Sequence, residues 1–294
     1  MATLKHKDYS ITINLLIFVT LIFLVVTTRL IVIYITNTNK YEDIAFIEEV
    51  YYDSTFDMSE TILKVKNTME EHYNLNIYYG EVLKEILPQV NANVITDEEA
   101  ILSMLQTINK EFAKYPKGII QEIQDKGYVI SIYLVDSFNN GNVALANRTA
   151  NGYFNIFLSN DKEFEKAMHH EFYHIMEYFI KLQFNLELAY ISWDTYNPQG
   201  FSYENDLNKL TNKYVYGLDT INAVHFVTMY AKSNEVEDRA ETFSEMMESN
   251  EQYNKSLNAT NIIKKMRFIT KVLDDAFVSV NKNEYWQRYN EWEI

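Results

Sequence analysis

The chain of 294 residues contains no cysteine. That absence excludes disulfides, Cys-based zinc sites, thiol nucleophiles and a lipidated cysteine of the lipoprotein type. Any transition metal must then be held by histidine and carboxylate. Basic residues are also few: 26 Lys and Arg stand against 41 Asp and Glu, a formal charge of −15. Without a basic stripe there is no electrostatic footprint for a phosphate backbone, so no nucleic-acid partner is expected. Internal repeats and low-complexity tracts are missing as well. Hydrophobic residues make up 47% of the chain and aromatics 15%, which excludes wholesale disorder and suffices for a core.

One long hydrophobic run is present. Residues 11–36, ITINLLIFVTLIFLVVTTRLIVIYIT, are nearly all apolar, and about 20 apolar residues cross a bilayer core. Arg29 interrupts the run; with the span centred on residues 11–28 it sits at the outer edge, where its side chain can snorkel. Lys5 and Lys7 precede the run and favour a cytoplasmic tail at residues 1–10, although Arg29 and Lys40 weaken the asymmetry. The run has no small-x-small cleavage site and is long for a signal-peptide core. The expectation is one uncleaved helix in the lipid bilayer, single-pass in the cell membrane, with the remainder extracellular; secretion after signal cleavage is the alternative. Residues 37–60, rich in Tyr and acids and free of Pro and Gly, read as a stalk or linker, and residues 61–294 as the functional domain.

Within that domain, MSETILKVKNTMEEHY has helical character and LNIYYG reads as a short strand ended by Gly80. TDEEAILSMLQTINKEF opens on a capping box, Thr96 and Glu99, and carries the apolar stripe Ile101, Leu105, Ile108 and Phe112. YPKG breaks that helix, and IIQEIQDKG forms another that ends at Gly127. YVISIYLVDS and YFNIFLSN are strands by their β-branched and aromatic content, separated by an NNG turn. Helices around a small sheet, without βαβ alternation, predict an α+β fold.

Residues 167–179, AMHHEFYHIMEYF, hold three of the six histidines. A helix capped by Ser159 or Asn160 and running to about Lys181 sets His170 and His174 on one face, with Glu171 beside them. Met168, Phe172, Ile175 and Phe179 fall on the opposite, apolar face. His170-Glu171-Phe172-Tyr173-His174 fits H-E-x-x-H. Two imidazoles one turn apart can hold one Zn²⁺, and the Glu beside the first reaches the water that the metal activates. Histidines four apart also occur as plain surface pairs, so a third ligand decides the matter.

A third histidine in an H-x-x-G-x-x-H extension is absent. The third ligand should therefore be a carboxylate from a later helix. Residues 226–249, FVTMYAKSNEVEDRAETFSEMMES, supply it. Ser233 or Asn234 caps a helix whose buried stripe is Val236, Ala240, Phe243 and Met247. Glu237 and Glu241 project together at i,i+4. Glu237 can reach the metal, and Glu241 can orient a ligating histidine from behind. Tyr230, just before the helix, offers a phenol to a developing oxyanion.

HEFYH followed by YAKSNEVEDRAETF resembles the putative zinc-binding metallopeptidase family of Gram-positive bacteria. It is also similar to the catalytic domains of anthrax lethal factor and the Pro-Pro endopeptidases. In that group a Tyr is followed after six residues by Glu and after three more by Glu, as Tyr230, Glu237 and Glu241 are here. The resemblance implies a zincin-like domain, a small sheet packed on the active-site helix with a mostly helical second half. It implies His170, His174 and Glu237 as zinc ligands, Glu171 and Tyr230 as catalytic residues, and Glu241 as a supporting carboxylate. YPKGIIQEI before YVISIYLVD, and WDTYNPQGFSY at residues 193–203, resemble further parts of the group. The likeness covers residues 75–250 in pieces.

The same spacing selects Glu237 over its neighbour Asp238, which is kept as the fallback ligand. His169 reads as a polar neighbour of the motif, His225 as a packed or surface residue, and His72 and His6 as incidental. Residues 150–157 are either the edge strand that pairs with an extended substrate or an interior strand. The expected function is a membrane-anchored zinc metalloendopeptidase acting on a peptide or protein substrate. The competing readings are a zinc-containing extracellular binding or sensor module without turnover, and a zinc amidase acting on a cell-wall amide. Oligomeric state is not legible, and residues 37–74 and 250–294 suggest only packing and spacing.

Overall fold

The computed structural model describes residues 57–116, 118–183, 192–210, 215–218, 224–248, 250–280 and 285–290. The expected membrane helix, the tail before it and most of the expected stalk lie outside the described residues. Among the described residues, no helix is long and apolar enough to cross a membrane.

The chain enters through α1 (Met58–Tyr73), whose N-cap Asp57 accepts a hydrogen bond from the Ser59 backbone N–H. β1 (Asn76–Tyr78) and β2 (Ala92–Val94) flank two short 3₁₀ turns, and α2 (Glu98–Phe112) and α3 (Ile119–Gln124) follow. The cap of α2 is Asp97, not Thr96: its carboxylate accepts from the N–H groups of Glu99 and Ala100. An ionised acceptor one residue later competes better for those free donors than a hydroxyl does. β3 (Val129–Phe138), β4 (Ala144–Arg148) and β5 (Tyr153–Ser159) complete a five-stranded mixed sheet in the order β1-β3-β5-β4, with β2 antiparallel to β3. β1, β3 and β5 run parallel, and β4 is antiparallel to β5. Residues 150–157 therefore feed an interior strand. The edge is β4, whose ALANR sequence lacks the β-branched and aromatic residues that mark a strand. The hairpin into β5 closes at Gly152, where φ is 85° and a side chain would be strained.

Helix α4 (Phe164–Gln183) packs on this sheet. Ser159 ends β5 and its hydroxyl donates to Val143 O, so it does not cap the helix. Asp161 instead accepts from the Glu163 N–H. Met168, Phe172, Ile175 and Phe179 are buried as expected. Phe172 meets Phe112 and Tyr115 edge-on at 5.3 and 4.8 Å between ring centroids, the geometry that aromatic quadrupoles favour. The second half is helical: α5 (Glu235–Met247), α6 (Asn250–Ser256) and α7 (Thr260–Ala276). Asn234 caps α5 through Val236 N and Glu237 N. Ala240, Phe243 and Met247 are buried, but Val236, in the first turn, is 39% exposed.

Two buried ion pairs fix α5. Arg239 Nε donates to Glu177 Oε1 of α4 at 2.9 Å. On the other side, Asp238 Oδ2 accepts from Lys265 Nζ of α7 at 2.6 Å, Tyr203 OH at 2.8 Å and Trp193 Nε1 at 3.0 Å. One carboxylate thus joins α5, α7 and the loop at residues 193–203, which gives the stretch beyond residue 250 a definite structural task. Lys265→Met would leave that carboxylate buried without its cation. Removing one partner of such a pair costs about 3–5 kcal/mol. Urea unfolding of Lys265→Met is expected to show that loss, with part of it recovered in the Asp238→Asn/Lys265→Met double variant.

Candidate metal centre and cleft

Helices α4 and α5 face each other in opposite directions, and their polar side chains meet rung by rung. Lys166 pairs with Glu245. One turn on, His170 Nδ1 lies 2.8 Å from Glu241 Oε1. One further turn on, His174 Nε2 lies 3.4 Å from Glu237 Oε2. The steps are four residues forward on α4 and four back on α5, which keeps each set on one helical face. His170 Nε2 also turns inward, 3.0 Å from His174 Nε2 and 3.0 Å from Glu237 Oε2.

One atom each from His170, His174 and Glu237 thus converge, all within 4.8 Å of one another. Glu237 Oε2 is buried and finds no donor of ordinary hydrogen-bond geometry among the described residues. Two imidazole nitrogens and a carboxylate oxygen form a donor set that fits zinc, and three protein ligands leave a position open for chemistry. Glu241 is itself held: its Oε2 accepts from Thr228 Oγ1 at 2.8 Å, and the same hydroxyl accepts from Ala231 N. Thr228, Lys166 and Glu245 are the supporting residues that the sequence reading missed. Lys166 and Glu245 continue the i,i+4 series by one turn on each helix, and that was the available signal.

The cluster opens on a cleft of about 670 Å³, walled by α4, by Thr228 and Tyr230, and by residues 141–146 at the start of β4. Val143 O accepts from Ser159 N, and Thr149 N donates to Tyr153 O. Odd-numbered residues of β4 therefore bond inward to β5, and Ala144, Ala146 and Arg148 turn their backbone groups to the free edge. The Ala146 N–H donates to Glu171 Oε2 at 2.7 Å, which sets the Glu171 carboxylate between the edge strand and the cluster. Tyr230 stands at the mouth, 41% exposed, its ring 6.2 Å from that of His170.

The electrostatics follow from burial among these groups. Burial lifts the Glu171 carboxyl above its ordinary value, against the pull of the His170 and His174 imidazoles. Burial opposes a charge on His170, but Glu237 and Glu241 outweigh it and raise the imidazole to about 10; protons and a metal therefore compete for the same nitrogen. Glu237 is pushed up by burial yet held well below the carboxylate range by the two imidazoles. Burial and the carboxylates of Glu237, Glu171 and Glu241 keep the Tyr230 phenol protonated.

Asp238 is not available as a ligand, because it faces Lys265 on the far side of α5. His225 is packed, with Nδ1 2.8 Å from Tyr196 O. His169 is more than a polar neighbour. It points into the core, where Nδ1 faces Tyr115 OH at 2.7 Å and Nε2 faces Glu111 Oε2 at 2.7 Å. Lys114 completes this group by pairing with Glu111 and donating to Met247 O at the end of α5. Burial keeps His169 neutral, its pKa below the ordinary value. Its Nε2–H then donates to Glu111, and Nδ1 accepts from Tyr115.

A family model described as "Putative zinc-binding metallo-peptidase" matches residues 107–279, well over half of the chain. The chain belongs to this family. Zinc is the metal of the family, and the matched region contains the whole cluster. No curated protein matches the chain. A solved structure, a "putative zinc-binding metallo-peptidase from Bacteroides caccae ATCC 43185", is similar at 20% identity and a TM-score of 0.48, covering 81% of this chain and 93% of that one. The Gram-positive association and the likeness to lethal factor rest on the motifs alone.

Glu111 anchors α4 from behind the cluster, and its titration is measurable. Burial raises its pKa, but His169 and Lys114 bring it down from 4.5 to about 2. A depressed carboxyl stabilises the fold above its unfolded pKa and loses that contribution as pH falls through the folded value. The window is therefore about pH 4.5 to 2, and the contribution roughly 3 kcal/mol. Denaturant unfolding should show wild type and Glu111→Gln converging by about that amount across the window. Parallel curves would show that the shift is absent.

Proposed function

We propose that this chain is a membrane-anchored zinc metalloendopeptidase. The observation that carries the reading is the convergence of His170, His174 and Glu237 in one cleft with Glu171, beside a free strand edge. In this reading the two histidines and Glu237 hold the metal, and Glu241, steadied by Thr228, keeps the His170 ring oriented through Nδ1. Bound there, zinc supplies Lewis acidity and makes water a nucleophile near neutral pH. Glu171 accepts the proton of the attacking water and later passes it to the leaving amine; its raised pKa suits both transfers. Tyr230, protonated at the cleft mouth, donates to the oxyanion of the attacked carbonyl.

The outward N–H and C=O groups of β4 other than the Ala146 N–H, which Glu171 holds, suit strand addition by an extended peptide, the recognition mode that reads main chain first. An open cleft with such an edge favours a peptide over a small amide taken into a closed pocket. A catalytic glutamate beside a three-ligand cluster also favours turnover over a silent sensor, whose structural zinc would be closed by a fourth ligand. Residues 11–36 then serve as the anchor, residues 1–10 as the cytoplasmic tail, residues 37–60 as the stalk and residues 61–294 as the extracellular peptidase domain.

The test measures zinc content and peptide-library cleavage for the full chain. Wild type should carry one zinc and cut. Glu171→Gln should keep the zinc and lose activity by roughly 10²–10⁴-fold. Tyr230→Phe should keep the zinc and lower kcat by roughly 10–10³-fold, as expected for an oxyanion donor. Undiminished cleavage by zinc-loaded Glu171→Gln would sink the mechanism. Release of the protein from membranes by alkaline carbonate would sink the anchor.

A further inference from the structure

The helix face that carries the cluster extends beyond it. Lys166, His170, His174 and Tyr178 follow at four-residue spacing along α4, so they form one stripe. Opposite runs β4, with Ala144, Ala146 and Arg148 on its helix-facing side. Leu145 and Asn147 point the other way, and Asn147 accepts from the Asn155 amide there. The two alanine methyls leave the cleft open. Arg148 follows two residues beyond the cleft wall: its guanidinium lies 4.5 Å from the centroid of the Tyr178 ring and donates to the Tyr178 hydroxyl. The Tyr178 ring is braced edge-on by Phe154, 5.7 Å between centroids.

A cation therefore stands near each end of the cluster, and the two differ. Lys166 is spoken for by Glu245. Arg148 is exposed, and among the described residues its side chain is engaged by the Tyr178 ring and hydroxyl. A guanidinium carries five N–H donors in a fixed fork. Tyr178 takes one and orients the rest, which suits bidentate capture of a carboxylate.

At about 3.4 Å per residue, Arg148 lies about 6.8 Å along the strand from Ala146, whose N–H holds Glu171. We propose that Arg148, positioned by Tyr178, is a specificity residue that binds an acidic side chain of the substrate about two residues from the bond cleaved. Antiparallel addition to β4, the better-bonded arrangement, sets that side chain on the amino side of the bond. The inference rests on the peptidase reading above.

The test uses the full chain, zinc-loaded in the Glu171→Gln background, and fluorescent peptides that differ only in Asp, Asn or Lys at that position. The Asp peptide should bind roughly tenfold tighter than the Asn peptide, as a partly shielded, charge-assisted contact allows. Arg148→Ala should bring the ratio close to one, with a circular-dichroism spectrum and zinc content equal to those of the Arg148-containing protein showing that the variant is folded. Arg148→Glu should turn the preference toward Lys, and Tyr178→Phe should reduce the Asp preference in part. Equal binding of Asp and Asn peptides to the Arg148-containing protein, or a ratio unchanged in Arg148→Ala, overturns the proposal. Arg148-dependent binding without cleavage by the wild-type chain would leave this proposal standing and sink the peptidase reading. Cleavage without acid preference would do the reverse, and peptides neither bound nor cut would overturn both.

Discussion

The contact between α4 and α5 is the constraint on which the rest of the structure depends. Its rungs, Lys166 with Glu245, His170 with Glu241 and His174 with Glu237, oppose bases and acids along two antiparallel helices. Each of these side chains is at least partly withdrawn from water, and a buried charge without a partner costs several kcal/mol. The helices can therefore settle in one register only, because a slip of one residue would rotate every rung out of reach. Arg239 with Glu177 locks that register within the pair. Asp238 with Lys265 locks α5 to α7 behind it. The cluster is thus placed by a ladder of which it is one part.

How much of this could be read from the sequence depended on distance along the chain. His170, Glu171 and His174 lie within one turn and a half of helix, and Glu237 and Glu241 within another, so local periodicity sets each group on a face. The parallel strands β3 and β5 declared themselves through Val, Ile, Tyr and Phe. β4 did not, because Ala and Asn are poor strand formers and pairing with β5 holds them extended. The Lys265 partner of Asp238 comes from a helix whose role no motif announces. Nothing in the residues next to Asp238 says that it turns away from the cleft, so only tertiary placement removed it as a candidate ligand. The caps show a smaller version of the same limit. Thr96 and Ser159 match capping patterns, yet Asp97 caps α2, and Ser159 is taken up by the end of β5 while Asp161 holds the turn that leads into α4.

His169 and His170 are adjacent in sequence and opposite in use. A rotation of about 100° per residue is enough to send one imidazole into the core and the other into the cleft. The buried one, neutral and held by Tyr115 and Glu111, steadies the helix turn from which the other projects. Membership in a zinc-binding metallopeptidase family agrees with the chemistry of the projecting residues. Those side chains carry the weight, because function resides in the site that a fold supports.

No donor atom in the cluster is sulfur, and the chain has no cysteine anywhere. Thiolate sites are lost to oxidants, which convert the ligand to a disulfide or to sulfur oxyacids. Imidazole and carboxylate do not take part in that chemistry. Their common competitor is the proton, which claims the same lone pairs that a metal would. The centre is therefore built to tolerate oxidising surroundings and to yield to acid.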